Sequence, residues 1–449
     1  MDGVLACASP TAVSGRRVSK MLKNLGFLVA ALFGGFFAGV GQGTQAPEWF
    51  YWFVDQPPVV LPIGHAMELL VGDFNKDENP DLIISAHRGP YIWEFGPNFG
   101  SAEINIVMVL GDGRGGFGPP TVHLSTKGIL IAKLVTDIDG DGRLDLILVR
   151  KYRSADFTYR SEIQAMFGDG KGKLSSPITL IEFEDLAHDV AVADLNDDGH
   201  LDFLIVHYTI GAVSVFLANG KGGFGRYAII QVTTDPDHLL ERLVLNDFNN
   251  DGRLDLAAGG FIYDKDEDRW TRFVVALLGD GAGWFPHRSF FRTFEPPESE
   301  FPWINLVALD YDRDGNMDLV TSRREKILLL RGNGDGTFTF DEDFWLPALD
   351  PVPLISAITD FNQDGCWDWV ITLNSSPWWG LDLLISNCGV FIGRGFGYAG
   401  GNYVPSAAVV DLDKDDDLDL VFVTRHGAMG EELTALWIVL NNIGSGGQR

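Results

Sequence analysis

The sequence repeats one acidic motif seven times, and this repetition limits the possible fold more than any other feature. The copy at 137–145 reads DIDGDGRLD and places Asp137, Asp139, Asp141 and Asp145 within nine positions. Related nonapeptides begin at Asp73, Asp194, Asp247, Asp310, Asp360 and Asp411. Successive copies start 50 to 64 residues apart. A recurring period of this size indicates an array of one repeated unit, such as a solenoid or a propeller.

Carboxylates crowded in this way are typical of a calcium loop. Ca²⁺ takes six to eight oxygen ligands, and short carboxylates at alternate positions can surround one ion. We therefore expect side-chain ligands at positions 1, 3, 5 and 9 of each loop and a main-chain carbonyl ligand at position 7. Glycine at position 6, as at Gly142, would permit the sharp bend. A solvated acidic turn is the alternative for any single copy, because Asp-Gly is also an ordinary hairpin signal.

Aligning the copies gives the predicted calcium ligands, for up to seven ions. Loops 1 and 7 have Glu78 and Asp416 where the other loops have glycine at position 6, so we expect these two sites to bind more weakly. The predicted ligands, in loop order, are Asp73, Asn75, Asp77, Asn79 and Asp81; Asp137, Asp139, Asp141, Arg143 and Asp145; Asp194, Asn196, Asp198, His200 and Asp202; Asp247, Asn249, Asp251, Arg253 and Asp255; Asp310, Asp312, Asp314, Asn316 and Asp318; Asp360, Asn362, Asp364, Cys366 and Asp368; and Asp411, Asp413, Asp415, Asp417 and Asp419.

A glycine-rich motif falls between the acidic copies and keeps step with them. It reads GDGRGGF from Gly111, and related segments begin at Gly168, Ala218, Gly279 and Gly332. Each copy follows an apolar run and precedes another extended stretch, as a hairpin turn does. Each repeat is thus predicted to contain four strands, with the acidic loop between the first two and the glycine turn between the last two.

The strand that follows each acidic loop is almost continuously apolar, as in LDLILVR and LDFLIVHY. Such strands are covered on both faces. Seven four-stranded antiparallel sheets packed around an axis satisfy this requirement, so we predict an all-β fold, a seven-bladed β-propeller. The seventh repeat lacks a fourth strand, and residues 48–56 are predicted to supply it and to close blade 7. We predict one propeller domain over residues 47–449.

The repeats resemble FG-GAP repeats, also called VCBS repeats, which build the seven-bladed propeller of integrin α-subunit heads and occur in many bacterial secreted proteins. The resemblance covers residues 48 to 442 and rests on seven loops that follow D-x-[DN]-x-D-G-x-x-D, with the departures noted in loops 1 and 7. It implies a propeller with calcium in its loops and a role in binding or adhesion.

The strongly negative net charge is consistent with calcium loops and disfavours nucleic acid as a partner. The chain has 62 acidic and 34 basic residues and a formal net charge of −28. Seven calcium ions would offset half of that charge, and their removal should then loosen the fold. Nucleic acid is not an expected partner, since its phosphates are bound by basic surfaces.

The N-terminal segment has the pattern of a secretory signal peptide. Arg16, Arg17, Lys20 and Lys23 precede an apolar run at 25–41 that is rich in small residues. We predict a signal peptide over residues 1–46 and a secreted protein, either extracellular, periplasmic or at the cell surface. An uncleaved membrane anchor is the alternative. We expect the mature protein to be a monomer.

Two cysteines of the predicted mature chain, Cys366 and Cys388, flank the central hairpin of blade 6. Opposite positions across a hairpin are neighbours, and export permits oxidation, so a disulfide is predicted. Two buried free thiols are the alternative.

The loops that follow each second strand should gather on the face opposite the acidic loops. They are rich in cationic and aromatic residues, which suit a carboxylate or sulfate and the stacking of sugar rings. The alternative is that these cations balance the acidic rim and the rings pack within their own loops. We predict a carbohydrate or an extracellular protein as the ligand, contacted by His87, Arg88, Trp93, Arg150, Tyr152, His207, Tyr208, Trp270, Arg323, Trp378, Trp379, Arg425 and His426.

Catalysis is the second hypothesis, and it has less support. The sequence contains no Gly-x-Ser-x-Gly elbow, no His-Glu-x-x-His and no phosphate-binding loop. His65, His188 and His238 are predicted to lie just ahead of first strands, near the predicted channel mouth. A polysaccharide lyase that uses Arg, His and Tyr at this mouth is therefore the alternative to a binding module, and it would require these groups to converge.

Overall fold

The described part of the chain is built from β-strands. The computed structural model describes residues 53–55, 58–89, 102–153, 158–232, 238–264, 269–294, 305–323, 326–341, 344, 353–375, 378–387, 390–398, 404–426 and 433–441. Within these ranges no helix has the length and apolarity needed to span a membrane. The predicted signal peptide at 1–46 lies outside them.

Twenty-nine strands succeed one another along these ranges. In chain order they are β1 Phe53–Asp55, β2 Val59–Leu61, β3 His65–Gly72, β4 Asp81–Arg88, β5 Glu103–Val109, β6 Thr121–Lys127, β7 Ile129–Thr136, β8 Asp145–Arg153, β9 Tyr159–Met166, β10 Ile178–Glu184, β11 Ala187–Ala193, β12 Asp202–His207, β13 Ala212–Ala218, β14 Phe224–Gln231, β15 His238–Asn246, β16 Asp255–Asp264, β17 Arg269–Leu278, β18 His287–Phe294, β19 Leu306–Leu309, β20 Asp318–Arg323, β21 Lys326–Gly332, β22 Phe338–Phe340, β23 Pro353–Thr359, β24 Asp368–Ser375, β25 Trp378–Asn387, β26 Val390–Tyr398, β27 Ser406–Val410, β28 Asp419–His426 and β29 Leu433–Asn441.

These strands form seven antiparallel sheets, one for each acidic repeat. Six sheets have four strands in sequence order, beginning with β3 to β6 as blade 1 and ending with β23 to β26 as blade 6. Blade 7 combines β27, β28 and β29 with β1 and β2. The predicted seven-bladed propeller of four-stranded antiparallel blades is thus confirmed.

The second strand of each blade is buried because neighbouring blades cover both of its faces. In β4, Leu82, Ile84 and Ala86 pack in a cluster shared with blade 7, whereas Ile83 packs in a cluster shared with blade 2. All four side chains are fully buried. Since side chains alternate between the faces of a strand, a strand covered on both sides is predominantly apolar rather than alternating.

The hydrophobic core is therefore divided into seven layers, each between two adjacent blades. The layer between blades 3 and 4, for example, contains Leu204 from β12 and Phe273 from β17. The layer between blades 7 and 1 contains Val423 and Leu436 beside Leu69. Because this last layer joins the end of the chain to its beginning, the ring of blades is closed by hydrophobic packing.

The N-terminal strands complete blade 7. β1 pairs with β29 through Phe53 and Asn441, and β2 pairs with the same strand through Val59 and Leu436. Of the predicted closing segment 48–56, the structure describes residues 53–55, and the outer strand resumes at 59–61. The two parts lie on either side of the sequence Gln-Pro-Pro at 56–58, where proline removes a donor from the ladder.

Candidate metal-binding rim and candidate ligand face

The acidic loops connect the first and second strands of every blade, and loops 1 to 6 share one hydrogen-bond pattern. In loop 2, the backbone N–H of Asp141 donates to Asp137 Oδ1 at 3.0 Å and to Asp139 Oδ1 at 3.2 Å. The N–H of Gly142 donates to Asp137 Oδ2 at 2.6 Å, and the N–H of Arg143 donates to Asp141 Oδ1 at 2.9 Å. These bonds turn the carboxylates at positions 1, 3 and 5 toward the middle of the loop.

Position 9 of each loop is a buried aspartate that joins the loop to the third strand of its blade. Asp145 is fully buried, and its Oδ2 accepts a hydrogen bond from the N–H of Ile138 at 3.1 Å. Its Oδ1 accepts one from the N–H of Gly168 at 2.8 Å. The same pair of bonds occurs in the other six loops.

Burial has an electrostatic consequence at position 9. Desolvation raises the pKa of Asp145 to about 6 and that of Asp419 to about 8, although two backbone N–H donors oppose each shift. Neighbouring carboxylates of the same loops raise both pKa values further. A divalent cation at the centre of such a loop would stabilise the charged forms.

Carboxylate oxygens converge in the three loops that have aspartate at position 3. Each set offers one oxygen per residue, all within 4.8 Å of one another: Asp137, Asp139 and Asp145; Asp310, Asp312 and Asp318; and Asp411, Asp413 and Asp419. In the remaining loops position 3 is asparagine, and its Oδ1 accepts the same bond from position 5, as Asn249 does from the N–H of Asp251 at 3.0 Å. In these four loops an amide oxygen thus takes the place of a carboxylate oxygen at position 3.

The donor set fits a hard cation. Every predicted side-chain ligand supplies oxygen, which is the donor type that Ca²⁺ and Mg²⁺ prefer. In loop 7, Asp413 Oδ1 is buried and has no hydrogen-bond partner within the described structure. Burying such an atom is costly unless something compensates its charge. The acidic rim could therefore hold metal ions.

Two positions of the loops adopt left-handed backbone conformations. At position 6, Glu78 has φ 65° and Asp416 has φ 69°, in the region that glycine occupies in the other five loops. Position 4 is also left-handed in all seven loops, with φ between 56° and 75°, at Lys76, Gly140, Asp197, Asn250, Arg313, Gln363 and Lys414. The left-handed conformation at position 4 was not predicted from the sequence, because only one of the seven residues at this position is glycine.

The glycine turns contact the acidic loops of the preceding blades, which explains why the two motifs keep step. The N–H of Gly172 in blade 2 donates to the carbonyl of Phe74 in loop 1 at 3.1 Å. Gly115 in blade 1 donates to Leu412 in loop 7 at 3.2 Å. The third such bond among the described residues runs from Gly336 in blade 5 to Phe248 in loop 4, at 2.9 Å.

On the opposite face, several predicted ligand-contacting residues have structural partners. His87 and His207 are buried, with 3% and 4% of their surface exposed. Arg88 donates to the carbonyl of Pro62, and Arg425 Nε donates to the carbonyl of Ala66 at 3.0 Å. These four residues hold the strand ends and the loops between blades together.

On this face, blade 2 has a partly exposed group of arginine, tyrosine and glutamate side chains that contact one another. The Arg150 guanidinium lies 5.4 Å from the centre of the Tyr152 ring and 3.4 Å from the Glu162 carboxylate. The Tyr152 hydroxyl donates to Glu182 Oε1 at 2.7 Å, and this hydrogen bond, with desolvation, raises the pKa of Tyr152 to about 12. The Arg160 guanidinium lies 3.6 Å from the Glu182 carboxylate. The group is partly exposed, and its contacts fix the side chains in place.

Two other predicted contacts form ring pairs, and the remaining ones lie outside the description. Trp270 is tilted against Tyr263 at 5.1 Å between ring centres, and Tyr208 stacks on His188 at 4.8 Å. Trp93 lies outside the described residues, as do the side chains of Arg323, Trp378, Trp379 and His426. Cys366 is disulfide-bonded, and Cys388 lies outside the described residues.

The repeats match a known family in sequence. A sequence model described as FG-GAP-like repeat matches residues 137–205, 194–258 and 310–371, which contain five of the acidic loops, those that begin at Asp137, Asp194, Asp247, Asp310 and Asp360. Over these residues the propeller is built from FG-GAP-like repeats. No curated protein matches its sequence.

Solved structures with a similar fold differ widely from this propeller in sequence. One belongs to a lectin of Agrocybe aegerita described by its specific recognition of non-reducing terminal N-acetylglucosamine, with 17% identity, a TM-score of 0.47, and coverage of 88% of this chain and 94% of the lectin. Another is BBS1N in complex with ARL6DN, with 10% identity, a TM-score of 0.49, and coverage of 86% and 96%. A third is the Dos1 propeller, with 8% identity, a TM-score of 0.45, and coverage of 87% and 97%.

The inner strands of the propeller carry a charged network that the motif analysis missed. Asp189 Oδ1 on β11 lies 3.6 Å from Lys133 Nζ on β7 and 3.6 Å from an Arg242 nitrogen on β15. Asp189 Oδ2 also accepts a hydrogen bond from the N–H of Leu243 at 3.2 Å. The packing of three successive blades brings these residues together, so no local signal reveals them.

His188 lies beside this network. Its Nδ1 is 3.1 Å from the carbonyl oxygen of Glu241, an oxygen that can only accept, so Nδ1 carries the proton. Desolvation lowers the pKa of His188 well below its usual value, and the charges of Lys151, Arg242 and Lys133 lower it further. The imidazole is therefore neutral at pH 7, and Nε2 is its basic nitrogen.

Proposed function

We propose that this propeller is a calcium-stabilised binding module that recognises a carbohydrate or a surface protein through the face opposite the acidic loops. The observation that carries the proposal is the separation of two kinds of surface. Oxygen atoms that can ligate a metal line the rim formed by the acidic loops. The group of Arg150, Tyr152, Arg160 and Glu182 lies instead near the strand ends at the opposite face. Ordered aromatic and guanidinium groups suit sugar rings and their anionic substituents.

Calcium is the metal we propose for the acidic rim. The convergent carboxylates, the buried Asp413 Oδ1 and the match of the repeats to the FG-GAP-like repeat model support it. Bound ions would screen the repulsion among the carboxylates and link folding to calcium concentration. We expect chelation to lower the melting temperature and added calcium to restore it. A melting temperature that is the same in calcium and in chelator would refute calcium stabilisation.

A glycan array tests the binding face. The full-length mature protein is applied to neutral and acidic glycans in calcium, and Arg150→Ala and Tyr152→Phe are compared with Lys171→Ala. Lys171 is an exposed cation of the glycine turn in blade 2, on the acidic rim, so it serves as a control for charge. Binding that is lost in the first two variants and kept in the control supports the proposed face. Equal binding by all four proteins would place the site elsewhere, and a blank array would direct the search to protein partners.

We also propose that the protein is exported, as the basic and apolar N-terminal segment indicates. N-terminal sequencing of protein secreted by an expressing host tests this. A mature N-terminus between residues 41 and 47 is the expected result, and recovery of the uncleaved chain in membranes would support the anchor instead.

A polysaccharide lyase is the second candidate, favoured by the neutral His188 beside Tyr208. In such a reaction His188 Nε2 would take the proton from the carbon next to a uronate carboxylate, and the cations near His188 would stabilise the developing charge. The electron pair would form a double bond to the adjacent carbon as its bond to the glycosidic oxygen breaks, and that oxygen would leave with a proton from water. The test is incubation with polyuronates and measurement of the ultraviolet absorbance of an unsaturated product. Absence of that product with every acidic polymer, from protein that is folded in calcium, would exclude this candidate.

A further inference from the structure

The side chain at position 4 of an acidic loop reaches the acidic loop of the next blade. The Gln363 amide of loop 6 donates from Nε2 to the carbonyl of Asp416 at 2.8 Å and to Asp417 Oδ1 at 2.9 Å, both in loop 7. The Asn250 amide of loop 4 donates to Asn316 Oδ1 of loop 5 at 2.8 Å. The backbone at position 4 is left-handed, and from it these side chains extend toward the acidic loop of the next blade.

In two other loops the residue at position 4 is a cation that lies against the loop of the next blade. The Arg313 guanidinium of loop 5 lies 5.2 Å from the ring centre of Trp367, which is position 8 of loop 6. The Lys76 ammonium of loop 1 lies over Gly142 of loop 2, 3.8 Å from where a Cβ on that glycine would stand.

We propose that the residue at position 4 of each acidic loop sets the cation affinity of the loop that follows it. This inference rests on the calcium sites of the proposed function. A positive charge beside a calcium loop opposes binding of the ion, whereas a neutral amide does not. Loops 2 and 6 receive a cation from position 4 and are the weaker sites, and loop 7 receives an amide and keeps its affinity.

The size of the effect follows from Coulomb's law. A single positive charge and a divalent ion about 8 Å apart, in surroundings close to the dielectric of water, weaken binding by roughly fivefold. Screening reduces this factor as salt is added. The inference also alters the ranking expected from glycine content alone, since loop 7 lacks glycine at position 6 but receives Gln363, and loops 2 and 6 have that glycine but receive cations.

Loop 6 allows a site-specific measurement because Trp367 lies within it. Terbium(III) replaces calcium in oxygen sites and is excited through a nearby indole, so its luminescence reports occupancy of this loop, and Trp367→Phe identifies the share of the signal that comes from it. Full-length, chelator-treated protein is titrated with terbium at low salt, and calcium is then used to displace it. The variants are Arg313→Gln, which removes the charge, and Arg313→Lys, which keeps it.

Arg114→Gln is the matched control. Arg114 is an exposed cation of the glycine turn in blade 1, so its loss changes the net charge equally but leaves loop 6 untouched. We expect Arg313→Gln to lower the half-saturating concentration at loop 6 by three- to tenfold, with Arg313→Lys and Arg114→Gln close to wild type. Equal affinity of Arg313→Gln and wild type would overturn the inference while calcium binding stands. Failure of wild type to bind either ion would overturn the calcium sites themselves, and the inference with them.

Discussion

The carboxylate of Asp145 accepts a hydrogen bond from the backbone N–H of Gly168 at 2.8 Å, although 23 residues separate them in sequence. Asp145 ends the acidic loop of blade 2, and Gly168 begins its glycine turn. The aspartate at position 9 therefore has a structural role besides any role as a metal ligand. Its two oxygens hold together the loop and the third strand, in every one of the seven blades.

Asparagine at position 9 should destabilise the propeller whether or not calcium is present. Asp145→Asn places an NH₂ group against one of two N–H donors and leaves that donor buried without an acceptor, at a cost of about 1 to 3 kcal/mol. Asp139→Asn is the control, since asparagine occurs naturally at position 3 in four loops. We expect Asp145→Asn to have the lower melting temperature in chelator. Equal melting of the two variants in chelator would show that Asp145 acts only through a metal.

Glycine at position 6 of loop 1 should stabilise the protein. Glu78 has φ 65°, a conformation that costs a residue with a Cβ about 1 kcal/mol. Glu78→Gly removes this strain, and the greater freedom of glycine in the unfolded chain offsets part of the gain. We expect a net gain of about 0.5 kcal/mol and a higher melting temperature. Gly142→Ala, the reverse change in loop 2, should lower it, and a melting temperature that fell for Glu78→Gly would contradict the strain argument.

The sequence predicted the blades well because their signals are local and repeated. Continuous apolar strands such as β12 specify burial on both faces, and seven copies of one loop specify the number of blades. Gly172 contacts the carbonyl of Phe74. The sequence shows only that the acidic motif and the glycine motif alternate regularly along the chain. Its physical cause, a hydrogen bond between blades, requires knowledge of which blade lies on which side.

Other features had no sequence signal. Gln363 is not a residue type that favours a left-handed conformation, and neither Asn250 nor Gln363 indicates in sequence which neighbouring loop it contacts. The Lys133, Asp189 and Arg242 network joins residues more than 50 positions apart, and its members look like ordinary strand residues. Burial of His87 was also missed, because a histidine at the end of a strand resembles a solvent-facing loop residue.

His87 should make the protein less stable in mild acid. Burial lowers the pKa of His87 to about 4, and the charges of Arg425 and His65 act in the same direction. In the unfolded chain its pKa is about 6.5. Between these two values the unfolded chain binds a proton that the folded chain does not, so the free energy of unfolding falls as the pH falls. The loss reaches at most about 3 kcal/mol at pH 4.

The variant His87→Gln isolates this contribution, since both proteins share every other titrating group. Melting temperatures are measured from pH 7 to pH 4 in a fixed concentration of calcium. The difference between wild type and variant should be constant above pH 6.5 and should shift in favour of the variant below it. Parallel curves over the whole range would mean that His87 titrates normally in the folded protein.

Close packing of a glycine turn against the preceding blade should make Gly336 intolerant of a side chain. Its N–H donates to the carbonyl of Phe248 in loop 4, and a Cβ on Gly336 would lie 2.5 Å from Leu278 Cδ2. Gly336→Ala therefore combines strain at φ 79° with a steric clash between blades 5 and 4, and the clash adds about 1 to 3 kcal/mol.

Gly222 provides the matched control for this clash. It occupies the same position of the glycine turn in blade 3 and has the same φ of 79°, but a Cβ there would meet no atom within 4 Å. Gly222→Ala thus carries only the backbone strain, about 1 kcal/mol. We expect Gly336→Ala to lower the melting temperature clearly more than Gly222→Ala does. Equal losses would mean that the turn contributes backbone conformation alone, and that contact between blades at this rim adds nothing to stability.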